Sequence, residues 1–127
     1  MEEEALTAKI IGCAMRVHSA LGPGYLESVY QKATAHDLRK AGLDVQREKP
    51  LAVIYDGVLV GDFLADIVVE GKVMLELKAN HALAPINEVQ LVNYLAASGL
   101  EIGLPLNFGA ERLEFKRKTR TFRPSVK

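Results

Sequence analysis

Two acids and an amine near the middle of the chain are the residues best suited to chemistry. They lie in the run Gly61-Asp62-Phe63-Leu64-Ala65-Asp66-Ile67-Val68-Val69-Glu70-Gly71-Lys72-Val73-Met74-Leu75-Glu76-Leu77-Lys78. Asp66 is embedded among apolar residues, and Glu76 and Lys78 interrupt a second apolar stretch. Ionisable groups are seldom built into buried strands unless they are paired or bind metal. Strand side chains alternate faces, so Glu76 and Lys78 project together while Leu75 and Leu77 point the other way. On the preceding strand, Asp62, Leu64, Asp66 and Val68 are expected on one face. Asp66 and Glu76 are equidistant from Gly71. A three-residue turn or a bulge there sets their carboxylates side by side, whereas a two-residue turn at Glu70-Gly71 pairs Asp66 with Leu75.

Adjacent carboxylates attract a hard divalent cation. Mg²⁺ (or Mn²⁺) is held by one or two carboxylates, water and substrate phosphate rather than by a full protein cage. Such an ion polarises a phosphoryl oxygen and acidifies a bound water. Lys78 on the same face would orient or deprotonate that water, or neutralise charge in the transition state. An Asp followed by Glu-x-Lys on the next strand is therefore the arrangement that metal-dependent phosphodiester hydrolysis requires. The competing reading is an internal salt bridge of Lys78 with Glu76 or Asp66, because matches to so short a pattern arise often by chance.

The elements that must position these groups are legible in the pattern. From roughly Glu3 to Leu21, Leu6, Ile10, Cys13, Ala14, Val17 and Leu21 fall at helical spacing. Gly22-Pro23-Gly24 breaks that helix, and a second is expected from about Tyr25 to Ala41, stopped by Gly42. From Val45 the period becomes that of strands, and Asp56-Gly57 is a strong hairpin signal. The second strand is expected to continue to Val69, turn near Gly71 and return from Lys72 to Ala79, an antiparallel meander. A helix from about Pro85 to Ser98, closed by Gly99, precedes a strand near 101–108 and another near 113–116. Helix, helix, three strands, helix and one or two strands predict a single α/β domain over 1–127, with an α+β mixed sheet, a crossover and helices packed on the sheet.

Composition narrows the function classes. The chain has 127 residues, enough for one domain with a real core, and 25% of them are charged. Its formal net charge of zero gives no global attraction to nucleic acid, although a local basic rim is compatible with it. Charge is uneven: Glu2, Glu3 and Glu4 open the chain, and Lys116, Arg117, Lys118, Arg120, Arg123 and Lys127 close it as an expected basic tail over about 116–127. Cys13 is the single cysteine, which excludes an intramolecular disulfide or a cysteine zinc site. No signal-like segment and no apolar stretch of membrane-spanning length occurs, so a cytoplasmic location without membrane contact is expected.

Two helical pieces join the central run. Glu27 follows Gly24 at the start of the second helix, and Gln90 and Tyr94 stand four apart on the later one. With Leu21-Gly22-Pro23-Gly24, Tyr30, Gly61-Asp62, Glu76-Leu77-Lys78 and Asn107-Phe108-Gly109, they give a pattern that resembles the GxxExxY family, named for Gly24, Glu27 and Tyr30. That family belongs to the PD-(D/E)XK nuclease superfamily, in the branch with lambda-exonuclease-like and RecB-like nuclease domains. The resemblance covers about Ile10 to Phe115 and implies a restriction-endonuclease-like core. It implies that Glu27, Asp66, Glu76 and the Leu77 carbonyl line one Mg²⁺ (or Mn²⁺) site, that Lys78 acts in catalysis, and that Gln90 and Tyr94 border the substrate phosphate. DNA is the implied substrate, RNA is left open, and so is a homo-oligomer. Ala65 departs from the superfamily pattern, which has Pro before the strand Asp.

A rival of another class keeps the fold and the metal site without turnover, as a nucleic-acid-binding or assembly module. The neutral charge favours it. Other candidates have plainer readings. His18, one turn before the Gly-Pro-Gly break, is expected to pack or to approach Glu27. His36 and His81 have no ligand spacing. Asp62 is expected at the rim. The run Lys116–Arg120 is a solvated tail or a phosphate contact, with Phe122 available to stack on a base.

Overall fold

A computed structural model describes residues 3–120. The first helix, α1 (Glu4–Leu21), is followed by α2 (Glu27–Lys40), and then by strands β1 (Val45–Tyr55), β2 (Val58–Val69) and β3 (Val73–Lys78). Helix α3 (Pro85–Ser98) leads to β4 (Ile102–Asn107), β5 (Glu114–Phe115) and β6 (Lys118–Thr119). The sheet runs β1-β2-β3-β4-β5, with β6 also paired to β4. The β3–β4 pair is parallel and the others antiparallel, so the meander and the crossover through α3 are both as the pattern predicts.

Helices cover both faces. Ile10, Cys13, Ala14 and Val17 of α1 and Tyr30, Ala35 and Leu38 of α2 bury one face with Ile67, Leu75, Leu77 and Leu104. Leu91 and Leu95 of α3 cover the other with Ala65, Val68 and Met74. Strands β3 and β4 are enclosed between these layers, which explains their near-continuous apolar runs. Cys13 is a fully buried member of the first core.

Turn chemistry sets the register. Asp56 and Gly57 both take positive φ, at 53° and 76°, which suits a two-residue hairpin whose twist matches its strands. Val69 pairs with Val73 and Ile67 with Leu75, so the β2–β3 connection is the three-residue Glu70-Gly71-Lys72 centred on Gly71. Lys72 N donates to Val69 O at 2.9 Å across it.

Three features depart from the sequence pattern. First, the faces do not alternate uniformly along β2. Ile67 packs with α1 and α2, but Ala65 packs under α3 and Phe63 stacks on Tyr94. The β1–β2 hairpin rolls over between these residues, where Glu48 takes φ 51° and the ladder omits Glu48 and Asp66. Asp62 and Leu64 therefore do not share the face of Asp66. Second, α2 begins at Glu27 rather than Tyr25, because Gly24 at φ 120° keeps the chain in a loop. Third, the basic segment is partly structured: Lys118–Thr119 pairs with β4, and Lys118 Nζ lies 2.6 Å from Glu88 of α3. Arg120 pairs with Glu101. Phe122, Arg123 and Lys127 lie outside the described residues. Pro105 explains why β5 and β6 are separate pieces: it has no N–H to continue a ladder, and Lys116 N reaches its carbonyl at 3.3 Å in the gap.

Candidate active site

Beyond Ile67 and Leu75 the β2–β3 ladder stops. The next residues in that register are Asp66 and Glu76, and their carboxylates occupy the opening. Leu77 N donates to Asp66 Oδ2 at 2.8 Å, and Asp66 N donates to Glu76 Oε2 at 3.1 Å. Each acid thus satisfies a backbone amide that the parting strands leave unpaired. The side-by-side register follows from the three-residue turn at Gly71. Asp66 Oδ1 and Glu76 Oε1 accept no hydrogen bond from the described residues.

Electrostatics make the pair unusual. Burial, together with the neighbouring Asp66 carboxylate, pushes Glu76 up to about 8. Asp66 is raised as well, chiefly by burial and then by the charge of Glu27, although the Leu77 amide works against the shift. The Lys78 charge favours ionisation of both acids without cancelling these effects. Lys78 forms no ion pair among the described residues, and neither do Asp66 and Glu76. The internal salt bridge that competes with a catalytic reading is therefore absent. Ionising both acids together without a cationic partner is costly, so Glu76 keeps its proton, and a bound divalent cation relieves that cost.

The remaining predicted residues surround this pair at different distances. Glu27 is the first residue of α2, exposed, and close enough for its charge to raise both acids. Among the described residues, no group of three or more His, Cys, Asp or Glu side chains gathers closely enough to hold a metal ion. Tyr94 is half-buried on the α3 side, its ring stacked on Phe63 with centroids 3.8 Å apart. Burial raises its hydroxyl, and the Glu76 and Asp66 charges add to that. Gln90, one turn earlier on α3, is exposed. The Leu77 side chain is buried among the α1–α2 core, while its backbone meets Asp66. His18 is buried and tied to the Ala110 carbonyl, its Nε2 2.9 Å away, which is the packing role.

Two residues of the sequence pattern, given no role there, act as supports. Tyr30 is fully buried, and its hydroxyl donates to Gly22 O at 2.5 Å and accepts from Tyr25 N at 3.1 Å. It stacks on Phe108, with ring centroids 4.8 Å apart, and so pins the loop that delivers Glu27. Its place one turn after Glu27 is the signal that was available. Asn107 is the second. Its Oδ1 accepts from Asn80 N and Gly109 N, and its Nδ2 donates to Asn80 O and Glu114 Oε1. Glu114 Oε1 also accepts from Leu83 N, so the segment leaving Lys78 toward α3 is clamped at both ends. A buried Asn with every group satisfied fixes one geometry.

Residues 4–118 match the family model for the PD-(D/E)XK nuclease superfamily, and the chain belongs to that superfamily. Its mixed sheet with helices on both faces is consistent with the restriction-endonuclease-like fold. Membership points to a nuclease-type function and to nucleic acid as partner, and such nucleases generally use divalent metal ions. No curated protein and no solved structure matches the chain. No helix among the described residues is long and apolar enough to cross a membrane.

Proposed function

We propose that this protein is a metal-dependent nuclease that hydrolyses phosphodiester bonds in DNA, within the GxxExxY group of the superfamily and its lambda-exonuclease-like and RecB-like branch. The observation that carries the reading is the pairing of buried Glu76 with half-buried Asp66, with an uncommitted oxygen on each acid and no ion-pair partner among the described residues. The donor set fits Mg²⁺ or Mn²⁺: hard carboxylate oxygens, few in number, leaving room for water and phosphate.

In this reading Asp66, Glu76 and the Leu77 carbonyl hold the ion, and Glu27 supports it through water from the start of α2. When bound, the cation supplies polarisation of the phosphoryl oxygen and acidification of the attacking water. Lys78, uncommitted to an ion pair, orients that water or stabilises the charge that develops on phosphorus-bound oxygens. Tyr94 and Gln90 present a hydroxyl and an amide to the substrate phosphate, and Phe63 fixes the Tyr94 ring by stacking. The Leu77 and Asp66 amides hold the carboxylates in place before substrate arrives.

Purified protein with Mg²⁺ or Mn²⁺ at low salt is expected to cleave single- or double-stranded DNA. Asp66→Ala and Glu76→Ala should each lower the rate by at least about a hundredfold while the fold persists by circular dichroism. Wild-type protein inert on both forms of DNA would contradict the DNA reading, and cleavage of RNA alone would reassign the substrate. The neutral net charge favours the alternative of a non-catalytic nucleic-acid-binding or assembly module. Metal binding without turnover on any nucleic acid would select it.

A further inference from the structure

The far half of the β1–β2 hairpin is apolar and uncovered. Val53, Ile54 and Tyr55 on β1 and Val58, Leu59 and Val60 on β2 are all exposed, Ile54 by 59%, Leu59 by 57% and Tyr55 by 73%. Isolated exposed apolar residues are ordinary, but six on one short hairpin, divided between its two faces, leave this end of the sheet uncovered on both sides. Strand β1 is also an edge of the sheet, paired to β2 alone. Its first half is guarded against further pairing by the left-handed Glu48, Lys49 and Pro50. Leu51-Ala52-Val53-Ile54-Tyr55 carries no such guard: no proline, no charge, and a continuous run of backbone groups. The register shift of this hairpin leaves the extra residue, Val60, on β2, so the β1 edge is uninterrupted.

We infer that this edge is a self-association surface, where Leu51–Tyr55 of one copy pairs antiparallel with Leu51–Tyr55 of a second about a two-fold axis. The edge suits itself as a partner. It is uncharged, so two copies meet without repulsion, and an antiparallel edge pairing is inherently two-fold. Nucleic acid is the wrong occupant, because the only charges from Leu51 to Leu64 are Asp56 and Asp62. Anionic lipid is excluded for the same reason. The pairing joins the outward main-chain groups of the two β1 edges and sets Leu51, Val53 and Tyr55 on one face, and Ala52 and Ile54 on the other, against their counterparts. In this pairing Tyr55 of the second copy lies opposite Leu51. There the groove of about 570 Å³ between Ala52, Val53 and Ile54 and the Asn93, Ala96 and Ala97 side of α3 gives it room.

Sedimentation equilibrium of the full chain at about 10–100 μM tests this. The expected mass is twice the 13.9 kDa of the chain, and Ile54→Lys should halve it without changing the far-UV circular dichroism. Met15→Lys, an exposed apolar position on α1, should leave the dimer intact. Hydrogen exchange on the unmodified protein covers the case in which Ile54→Lys does not fold. The outward-facing backbone amides of Leu51–Tyr55, which do not bond to β2, should lose protection on a hundredfold dilution, while those of β3 keep theirs. A wild-type monomer at 100 μM overturns the inference, whether it stays free or sediments with phosphatidylcholine vesicles. So does a dimer whose β1 amides exchange independently of concentration.

Discussion

At the scale of the residue, the behaviour of the site is governed by where Glu76 keeps its proton. Its carboxyl titrates near 8 in the folded chain, against an ordinary value of 4.5. Between those values the folded state holds a proton that the unfolded state has released. Stability of the metal-free protein therefore falls as pH rises through this window, and levels off above it. Asp66, raised in the same direction, adds to the fall. Thermal unfolding without metal should show a lower melting temperature at pH 8.5 than at pH 6, and Glu76→Gln should flatten that slope. Glutamine keeps an oxygen to accept from the Asp66 amide and has no charge to bury. A wild-type melting temperature that rises steadily from pH 6 to 8.5 would refute the buried acid pair. Metal runs the opposite way: the ion must displace the Glu76 proton, so metal affinity strengthens as pH rises toward 8.

At the scale of the element, the site is a consequence of strands that part. The spacing of Asp66 and Glu76 about Gly71 left two registers open in the sequence, and the three-residue turn centred on Gly71 selects the one that sets the acids side by side. The Asp56-Gly57 hairpin, the α3 crossover and the Gly99 stop were legible for local reasons. The roll-over at Glu48 and Asp66 was not, since a non-glycine residue at positive φ leaves no trace in the hydrophobic pattern. Sequence alternation therefore misplaced Asp62. Nor was β6 legible: two residues, one of them charged, have no period, and the strand exists because the β4 edge and Glu88 receive it. The Asn107 clamp was equally hidden, because Asn80, the partner it holds, is 27 residues away in sequence. Gly109 belongs to that clamp. A Cβ there would lie 2.3 Å from the Asn80 carbonyl oxygen and 2.5 Å from the Ala79 carbonyl carbon, both backbone atoms that cannot move aside cheaply. Gly109→Ala should destabilise the fold by about 3 kcal/mol, the upper range for overpacking, measured by urea denaturation. A change below about 0.5 kcal/mol would show that the segment after Lys78 is not held as tightly as described.

At the scale of the whole molecule, two cores on opposite faces of one sheet allow a small domain to carry in its middle two carboxyls whose joint ionisation is unfavourable. The α1–α2 layer buries Leu75 and Leu77 directly behind Glu76, and the α3 layer buries Met74 beside it. This removes water from the acids and gives them a rigid frame, the combination that makes a preorganised cation site possible. The neutral net charge leaves substrate attraction to local groups and to the ion itself, so weak, salt-sensitive binding of nucleic acid is expected. The measurement that addresses this frame most directly is anomalous diffraction from crystals of the unmodified protein soaked in millimolar Mn²⁺. A peak should appear between Asp66 and Glu76, about 2.0–2.2 Å from an oxygen of each. Crystals that diffract well and show no anomalous density there, or show it only elsewhere on the surface, would contradict the account.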